Sequence, residues 1–138
     1  AVVFIPDMAM PTEYARGLLS DTVAREDAVY NVGRVALLVR ALCSGDLAHL
    51  AVATEDRLHQ PARRVIFPAM GNLFRAAMGA GALGVFLSGA GSSVLALAQG
   101  RELTIGYEMV NAADKLGFSG SLKITSPSSL GAHVVSAE

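Results

Sequence analysis

The feature that most constrains the fold is a glycine-rich segment between two short apolar runs, GALGVFLSGAGSSVLALA at residues 81–98. The runs at 83–87 and 94–98 have the length of β-strands, and neither continues into a helical pattern. The glycines between them can adopt the positive φ angles that a tight reversal of the chain requires. The segment therefore predicts a β-hairpin or a strand–loop–strand unit.

The clearest predicted helix spans residues 25–44, where apolar residues recur at steps of three and four and Gly45 follows as a stop. Its apolar stripe is wide, so we expect the helix to be buried on most sides. A second amphipathic helix is predicted at 101–116, with one apolar side. That side comprises Leu103, Tyr107, Val110, Ala113 and Leu116.

The other predicted elements are shorter. Strands are expected at 1–5, 121–125 and 132–136, and helices at 12–19, 46–55 and 69–80. Strands and helices alternate without a Rossmann-like repeat. This order predicts an α+β fold of the ferredoxin-like type, in which helices pack on one face of an antiparallel sheet.

Composition excludes several classes of function. The net charge is −1, and the longest basic run is the pair Arg63-Arg64, so no patch for nucleic acid or a membrane surface is visible. No window approaches the run of about 18 apolar residues that a membrane helix needs. The single cysteine, Cys43, cannot form an internal disulfide, which fits a reducing cytoplasm, and we interpret it as a buried apolar residue.

The first residues indicate how the chain is delimited. It opens without a methionine on an apolar run, AVVFIPD, that has no basic segment before it and so does not resemble a signal peptide. A strand of this kind is typical of the middle of a sheet. We therefore expect the chain to be part of a longer protein.

Two groups of residues have a chemistry suited to binding. In the glycine turn, Gly89 and Gly91 leave backbone N–H groups open to an anion or a substrate, and Ser88 adds a hydroxyl. The turn lacks the lysine of a P-loop, and a tight turn that needs glycine for its geometry alone is an equally simple interpretation. No histidine or cysteine spacing predicts a metal site.

The second group is a set of arginines. Arg63 lies in the polar segment EDRLHQPARR (55–64), and Arg34 lies in the apolar helix three residues after Asn31. Guanidinium groups hold carboxylates in a two-point fork, which suits an amino-acid substrate. The alternatives are a solvated segment whose arginines pair with Glu55 and Asp56, and an Arg34 that extends to solvent.

Three segments resemble the homoserine kinases of the GHMP small-molecule kinase family. REDAVYNVGRVALLV (25–39) is similar to a family helix with an Asn and an Arg, and ATEDRLHQPARRVIFPAM (53–70) to the D-R-L-H-Q-P-Y-R segment. GALGVFLSGAGSSVLAL (81–97) is similar to the shared G-A-x-G-x-x-x-S-G-A-G-P-S motif. Ser92 departs from the family's Pro, Ala62 from a frequent aromatic residue, and His133 from a frequent Arg.

The resemblance implies transfer of a phosphoryl group from ATP to the hydroxyl of L-homoserine. Arg34 and Arg63 would hold the substrate carboxylate, and the turn at 88–93 would close over the substrate near the transferred phosphate. The implied substrate-binding residues are Asn31, Arg34, Arg63, Ser88, Gly89 and Gly91.

The resemblance also implies that residues 1–138 form one C-terminal GHMP domain. Nothing in the chain matches the family's P-x-x-x-G-L-G-S-S-A loop, so ATP, Mg²⁺ and the catalytic groups are expected on an N-terminal half, and this half alone is expected to be inactive. A cytoplasmic homodimer is implied for the complete protein. Two alternatives stay open: another GHMP kinase, or a stand-alone ferredoxin-like domain that binds an amino acid.

Overall fold

The computed structural model describes residues 1–136, in which a strand precedes a series of helices, a hairpin, a helix and a last strand. The strands are β1 (Val2–Pro6), β2 (Gly84–Leu87), β3 (Val94–Leu97) and β4 (Gly120–Ile124). The α-helices are α1 (Thr12–Gly17), α2 (Arg25–Ser44), α3 (Leu50–Ala53), α4 (Gln60–Arg63), α5 (Met70–Gly79) and α6 (Glu102–Asp114), and a 3₁₀ turn covers Leu47–His49.

The four strands form one antiparallel sheet in the order β2-β3-β1-β4, which confirms the predicted α+β class. The predicted hairpin is also confirmed, with Leu87 opposite Val94 on either side of the turn. The strand predicted at 132–136 is wrong: this segment has no regular structure, and Val134 and Val135 are exposed. A short apolar run becomes a strand only where it can pair and bury a face, and here it does neither.

The main core lies between one face of the sheet and helices α5 and α6. Because side chains alternate along a strand, Val2 and Phe4 of β1 point to this face together with Val94 and Ala96 of β3. The helices add Met70, Leu73 and Ala77 from α5 and Ile105, Met109 and Ala113 from α6. On the opposite face, α3 contacts the edge strand β2 at Gly84.

Helix α2 has the predicted bounds, and Gly45 ends it with a φ of 72°. Its predicted burial is wrong, because Ala41 is the one buried residue of this helix in the described structure. The apolar stripe is exposed by between 55% at Val39 and 70% at Val32, and Cys43 is exposed as well. Helical periodicity shows that a face is apolar, but it does not show what covers that face.

The apolar side predicted for α6 is buried only in part, since Ala113 lies in the core and Val110 packs against it. Leu103 and Tyr107 are exposed, whereas Ile105, Gly106 and Met109 are buried. Counting apolar side chains missed Gly106, where a Cβ atom would overlap the side chain of Leu122 in β4. The absence of a side chain there permits the close approach of α6 to the sheet.

None of the helices in residues 1–136 combines the length and apolar character needed to cross a bilayer.

Candidate functional site

A cavity of about 450 Å³ lies where α2, the segment before α4 and the end of β2 meet. Four of the six residues predicted for substrate binding line it: Asn31, Arg34, Arg63 and Gly89. Ser88 and Gly91 are not among its lining residues. Phe86, Val35 and Leu38 form apolar parts of the wall. Residues more than 50 positions apart in the sequence are thus brought to one concave surface.

A second cavity of the same volume lies on the other side of Thr54, Glu55, Asp56 and Gln60. Its lining also includes Phe74 and Met78 of α5 and the side chain of Arg64. None of the six predicted residues contributes to it. The first cavity is therefore the candidate site.

Arg63 is the least exposed charged residue in the described structure, at 6%. It ends the short helix α4, where its backbone N–H donates to the His59 carbonyl across 3.3 Å. Within residues 1–136 its Nε atom has no hydrogen-bond partner, and its guanidinium has no carboxylate within 4.0 Å. A buried cation without a partner is costly, so this position is suited to an anionic group that enters the cavity.

Arg34 faces the same cavity but is held by a protein carboxylate. Its Nη2 lies 2.9 Å and its Nε 3.3 Å from Oε2 of Glu55, which also accepts from the Tyr30 hydroxyl. These bonds, first from Tyr30 and then from Arg34, hold the pKa of the Glu55 carboxyl below its usual value, and Glu55 raises the pKa of Arg34. Arg34 therefore does not extend freely to solvent.

The sequence analysis gave Tyr30 no role in the site, although Tyr30 lies one helical turn before Arg34. The guanidinium carbons of Arg34 and Arg57 are 3.7 Å and 3.8 Å from the centroid of its ring. Such stacking orients both cations without neutralising them. Arg57 pairs with Asp27 across 3.4 Å and does not line the cavity.

The sequence analysis considered Asp56 only as a possible partner of the arginines, but in the structure it organises the backbone of the site. Its carboxylate accepts from the backbone N–H groups of Leu58, His59 and Gln60 at 3.2, 2.7 and 2.6 Å. Burial alone would raise its pKa, but the hydrogen bonds, foremost those from the Gln60 N–H and Asn31, hold the pKa below its usual value. The aspartate thereby fixes the start of the segment that carries Arg63.

The glycine turn is held by its own backbone. Ser88 N donates to Ser93 O at 2.9 Å, and Gly91 N donates to Ser88 O at 3.0 Å. Gly89 and Gly91 both have positive φ angles. A Cβ atom at Gly89 would meet nothing within 4 Å, so the chain at this point is open to the cavity. Ser92, where the family resemblance has Pro, donates from Oγ to the Met8 carbonyl at 3.1 Å.

No three His, Cys, Asp or Glu side chains in the part of the chain described here converge as metal ligands. The turn also contains no lysine for a nucleotide phosphate. The two guanidinium groups that line the cavity, together with the open backbone at Gly89, have the chemistry to bind a small anionic substrate.

The chain is similar in sequence and in structure to known proteins. Residues 38–121 match the family model described as "GHMP kinases C terminal". The sequence is 41% identical to a homoserine kinase from Moorella thermoacetica over 134 residues, which are 97% of this chain and 45% of that protein. It is 52% identical to a homoserine kinase from Gloeobacter violaceus over 96 residues, 70% of this chain and 32% of that protein.

The structure is similar to the crystal structure of homoserine kinase from Cytophaga hutchinsonii. The TM-score is 0.83 at 30% sequence identity, and the match covers 88% of this chain and 39% of that chain. The chain thus spans less than half the length of the relatives it matches.

Proposed function

Because the chain belongs to the GHMP kinase family, we propose that it is the C-terminal, substrate-side half of an ATP-dependent homoserine kinase. The reaction transfers the terminal phosphoryl group of ATP to the hydroxyl of L-homoserine and forms O-phospho-L-homoserine, a step of threonine biosynthesis. The similarity to homoserine kinases over 97% of the chain supports this substrate.

The observation that carries the proposal is the buried guanidinium of Arg63. It lines a cavity that also receives Arg34 and Gly89, and in residues 1–136 it has no anionic partner. A substrate carboxylate would provide that partner in a charge-assisted hydrogen bond. A neutral sugar or a simple alcohol would leave the cation buried and unpaired.

Each of the four predicted residues that line the cavity has a role in this proposal. Arg63 and Arg34 hold the homoserine carboxylate, with Arg34 kept in orientation by Glu55. Asn31 adds a polar side-chain amide to the cavity wall for the substrate, and its bond to Asp56 fixes the direction of that amide. The open backbone at Gly89 lets the hydroxyl end of the substrate approach the turn closely.

Ser88 and Gly91 act within the turn, where their mutual backbone bond sets its shape. Phosphoryl transfer requires mainly positioning of the reactants and stabilisation of charge. Positioning of homoserine is what these residues supply.

ATP, Mg²⁺ and the catalytic groups belong, in this proposal, to an N-terminal half outside residues 1–138. The complete enzyme is proposed to be a cytoplasmic homodimer. The 138-residue chain by itself should release no ADP from Mg-ATP in the presence of L-homoserine. Phosphate transfer by the purified chain would contradict this division of the active site.

The proposal is tested by ADP release from a full-length protein that contains this chain. L-Homoserine, mevalonate and galactose are offered in parallel with Mg-ATP. Turnover with homoserine alone is the expected result. Turnover with mevalonate or galactose instead would assign the chain to another GHMP kinase, and binding of an amino acid without any turnover would favour a regulatory domain.

A further inference from the structure

We propose that Gln60 is a positioning residue that fastens the glycine turn to the wall of the substrate cavity. Its side-chain Oε1 accepts a hydrogen bond of 2.9 Å from the backbone N–H of Leu87, the last residue of β2. Leu87 immediately precedes the turn at 88–93, and both Gln60 and Leu87 line the cavity. The bond therefore joins the polar segment 55–64, which carries Arg63, directly to the turn.

The position of β2 in the sheet explains why this bond has a structural consequence. β2 is an edge strand, paired with β3 alone. Ser88 N bonds to Ser93 O across the hairpin, so by the alternation of an antiparallel ladder the N–H of Leu87 points away from β3. An outward N–H on an edge strand normally has water as its partner. Here the side-chain oxygen of Gln60 accepts from the Leu87 N–H instead of water.

Gln60 is itself held by two further hydrogen bonds. Its backbone N–H donates to Oδ2 of Asp56 at 2.6 Å, and its Nε2 donates to the Thr54 carbonyl at 3.4 Å. Its side chain is thus oriented before it reaches Leu87. Since Gln60 begins α4 and Arg63 ends it, the same short helix sets the position of the guanidinium relative to the turn.

This arrangement has a kinetic consequence that rests on the proposed function. Arg34 and Arg63 would hold one end of homoserine, while the turn at Gly89 adjoins the other end, where the phosphoryl group arrives. A misplacement of about 1 Å between reacting groups can lower a rate by about 100-fold without a comparable loss of binding. Loss of the Gln60–Leu87 bond should therefore lower kcat more than it raises the KM for homoserine.

The experiment compares Gln60→Met with Gln60→Glu, because Met has a similar length but lacks a strong acceptor, whereas Glu keeps an oxygen for Leu87 N–H. Gln99→Met is the matched control, since Gln99 follows β3 and lines neither cavity. Backbone amide hydrogen exchange at Leu87 is measured in the 138-residue chain. Values of kcat and KM are measured in the full-length protein.

For Gln60→Met we expect exchange at Leu87 to be about tenfold faster or more, because the amide loses its partner. We expect kcat to fall by about tenfold, with KM for homoserine changed less than about threefold. Gln60→Glu keeps the acceptor for Leu87 but loses the donor to the Thr54 carbonyl, so it should restore the protection of Leu87 in part and give a kcat between those of Gln60→Met and the wild type. Gln99→Met should leave exchange and kinetics unchanged.

Unchanged exchange at Leu87 in Gln60→Met would overturn the inference, as would an unchanged kcat in an otherwise active enzyme. A uniform loss of folded protein in both Gln60 variants, with normal kcat per folded molecule, would reduce Gln60 to a purely structural residue. If the wild-type protein does not phosphorylate homoserine, the proposed function fails separately, and the exchange measurement alone then decides whether Gln60 holds the turn.

Discussion

The side-chain nitrogen of Asn31 donates to the carboxylate of Asp56 across 2.6 Å, and this bond joins α2 to the segment that leads into α4. The amide oxygen of Asn31 accepts from the backbone N–H of Arg57 at 3.0 Å, so both ends of the amide are engaged. Two of the three sequence segments that form the cavity are thus fixed to each other before any substrate is present.

This relationship predicts that Asp56→Asn destabilises the chain at neutral pH. The carboxylate accepts three backbone N–H bonds as well as the bond from Asn31, and an amide cannot accept all of them because one of its ends is a donor. We expect a lower urea midpoint for Asp56→Asn at pH 7. Asp21→Asn, at an exposed position, is the matched control and should unfold like the wild type.

The same residue gives a prediction for pH. The hydrogen bonds keep the pKa of Asp56 in the folded chain below its value in the unfolded chain, which is about 3.9. Its contribution to stability is therefore complete above that value and is lost as pH falls through the folded-state pKa. Unfolding midpoints measured from pH 7 to 2.5 should fall more steeply for the wild type than for Asp56→Asn. Parallel curves would show that Asp56 gains nothing from being ionised in the fold.

Two glycines should respond to alanine in opposite directions. At Gly84 a Cβ atom would lie 2.8 Å from the Leu50 carbonyl oxygen and 2.9 Å from Thr54 Oγ1, so α3 would have to move off the sheet. We expect Gly84→Ala to destabilise the chain by about 1–3 kcal/mol. At Gly33, within α2, the added carbon would meet no atom within 4 Å apart from the local backbone of its own helix, and Gly33→Ala should stabilise by about 0.5–1 kcal/mol.

Chemical denaturation of both glycine variants of the 138-residue chain checks this pair. The sequence shows only that Gly84 is the last glycine of a GAxG pattern. The structure supplies a reason for it, namely the contact between α3 and β2. A neutral effect of Gly84→Ala would mean that α3 does not pack as closely as the structure shows.

The apolar stripe of α2 is exposed in the structure, whereas its periodicity predicted burial, and a substitution in the stripe distinguishes the two. If Val32 is 70% exposed in the 138-residue chain, Val32→Ala should change its stability by no more than about 0.5 kcal/mol. Leu73→Ala in the core should cost about 2–5 kcal/mol. A loss at Val32 as large as that at Leu73 would show that the stripe is covered in solution, as the periodicity alone suggests.

Local chemistry made much of this fold predictable. The helix at 25–44 follows from its periodicity and from Gly45, and the hairpin follows from two apolar runs around SGAGSS. Burial was less predictable, because it depends on what packs on a face. For this reason the stripe of α2 was wrongly predicted to be buried, the apolar side of α6 is buried only in part, and the strand at 132–136 does not form.

The site shows the same division. Arg34, Arg63 and Gly89 were predicted from their chemistry and from the family resemblance, and the structure brings them to one cavity. The supporting roles of Asp56 and Tyr30 depend on bonds to residues 25 positions away, which no spacing pattern in one sequence reveals. The roles of the lining residues in catalysis stay predictions.

The most direct test of the central claim is the kinetics of Arg63→Ala in the full-length protein. If the buried guanidinium binds the homoserine carboxylate, KM for homoserine should rise by about tenfold or more, while KM for ATP stays close to the wild-type value. Arg75→Ala, which removes an exposed arginine on α5, is the matched control and should leave both values unchanged. An unchanged KM for homoserine in Arg63→Ala would remove Arg63 from the site and contradict the account.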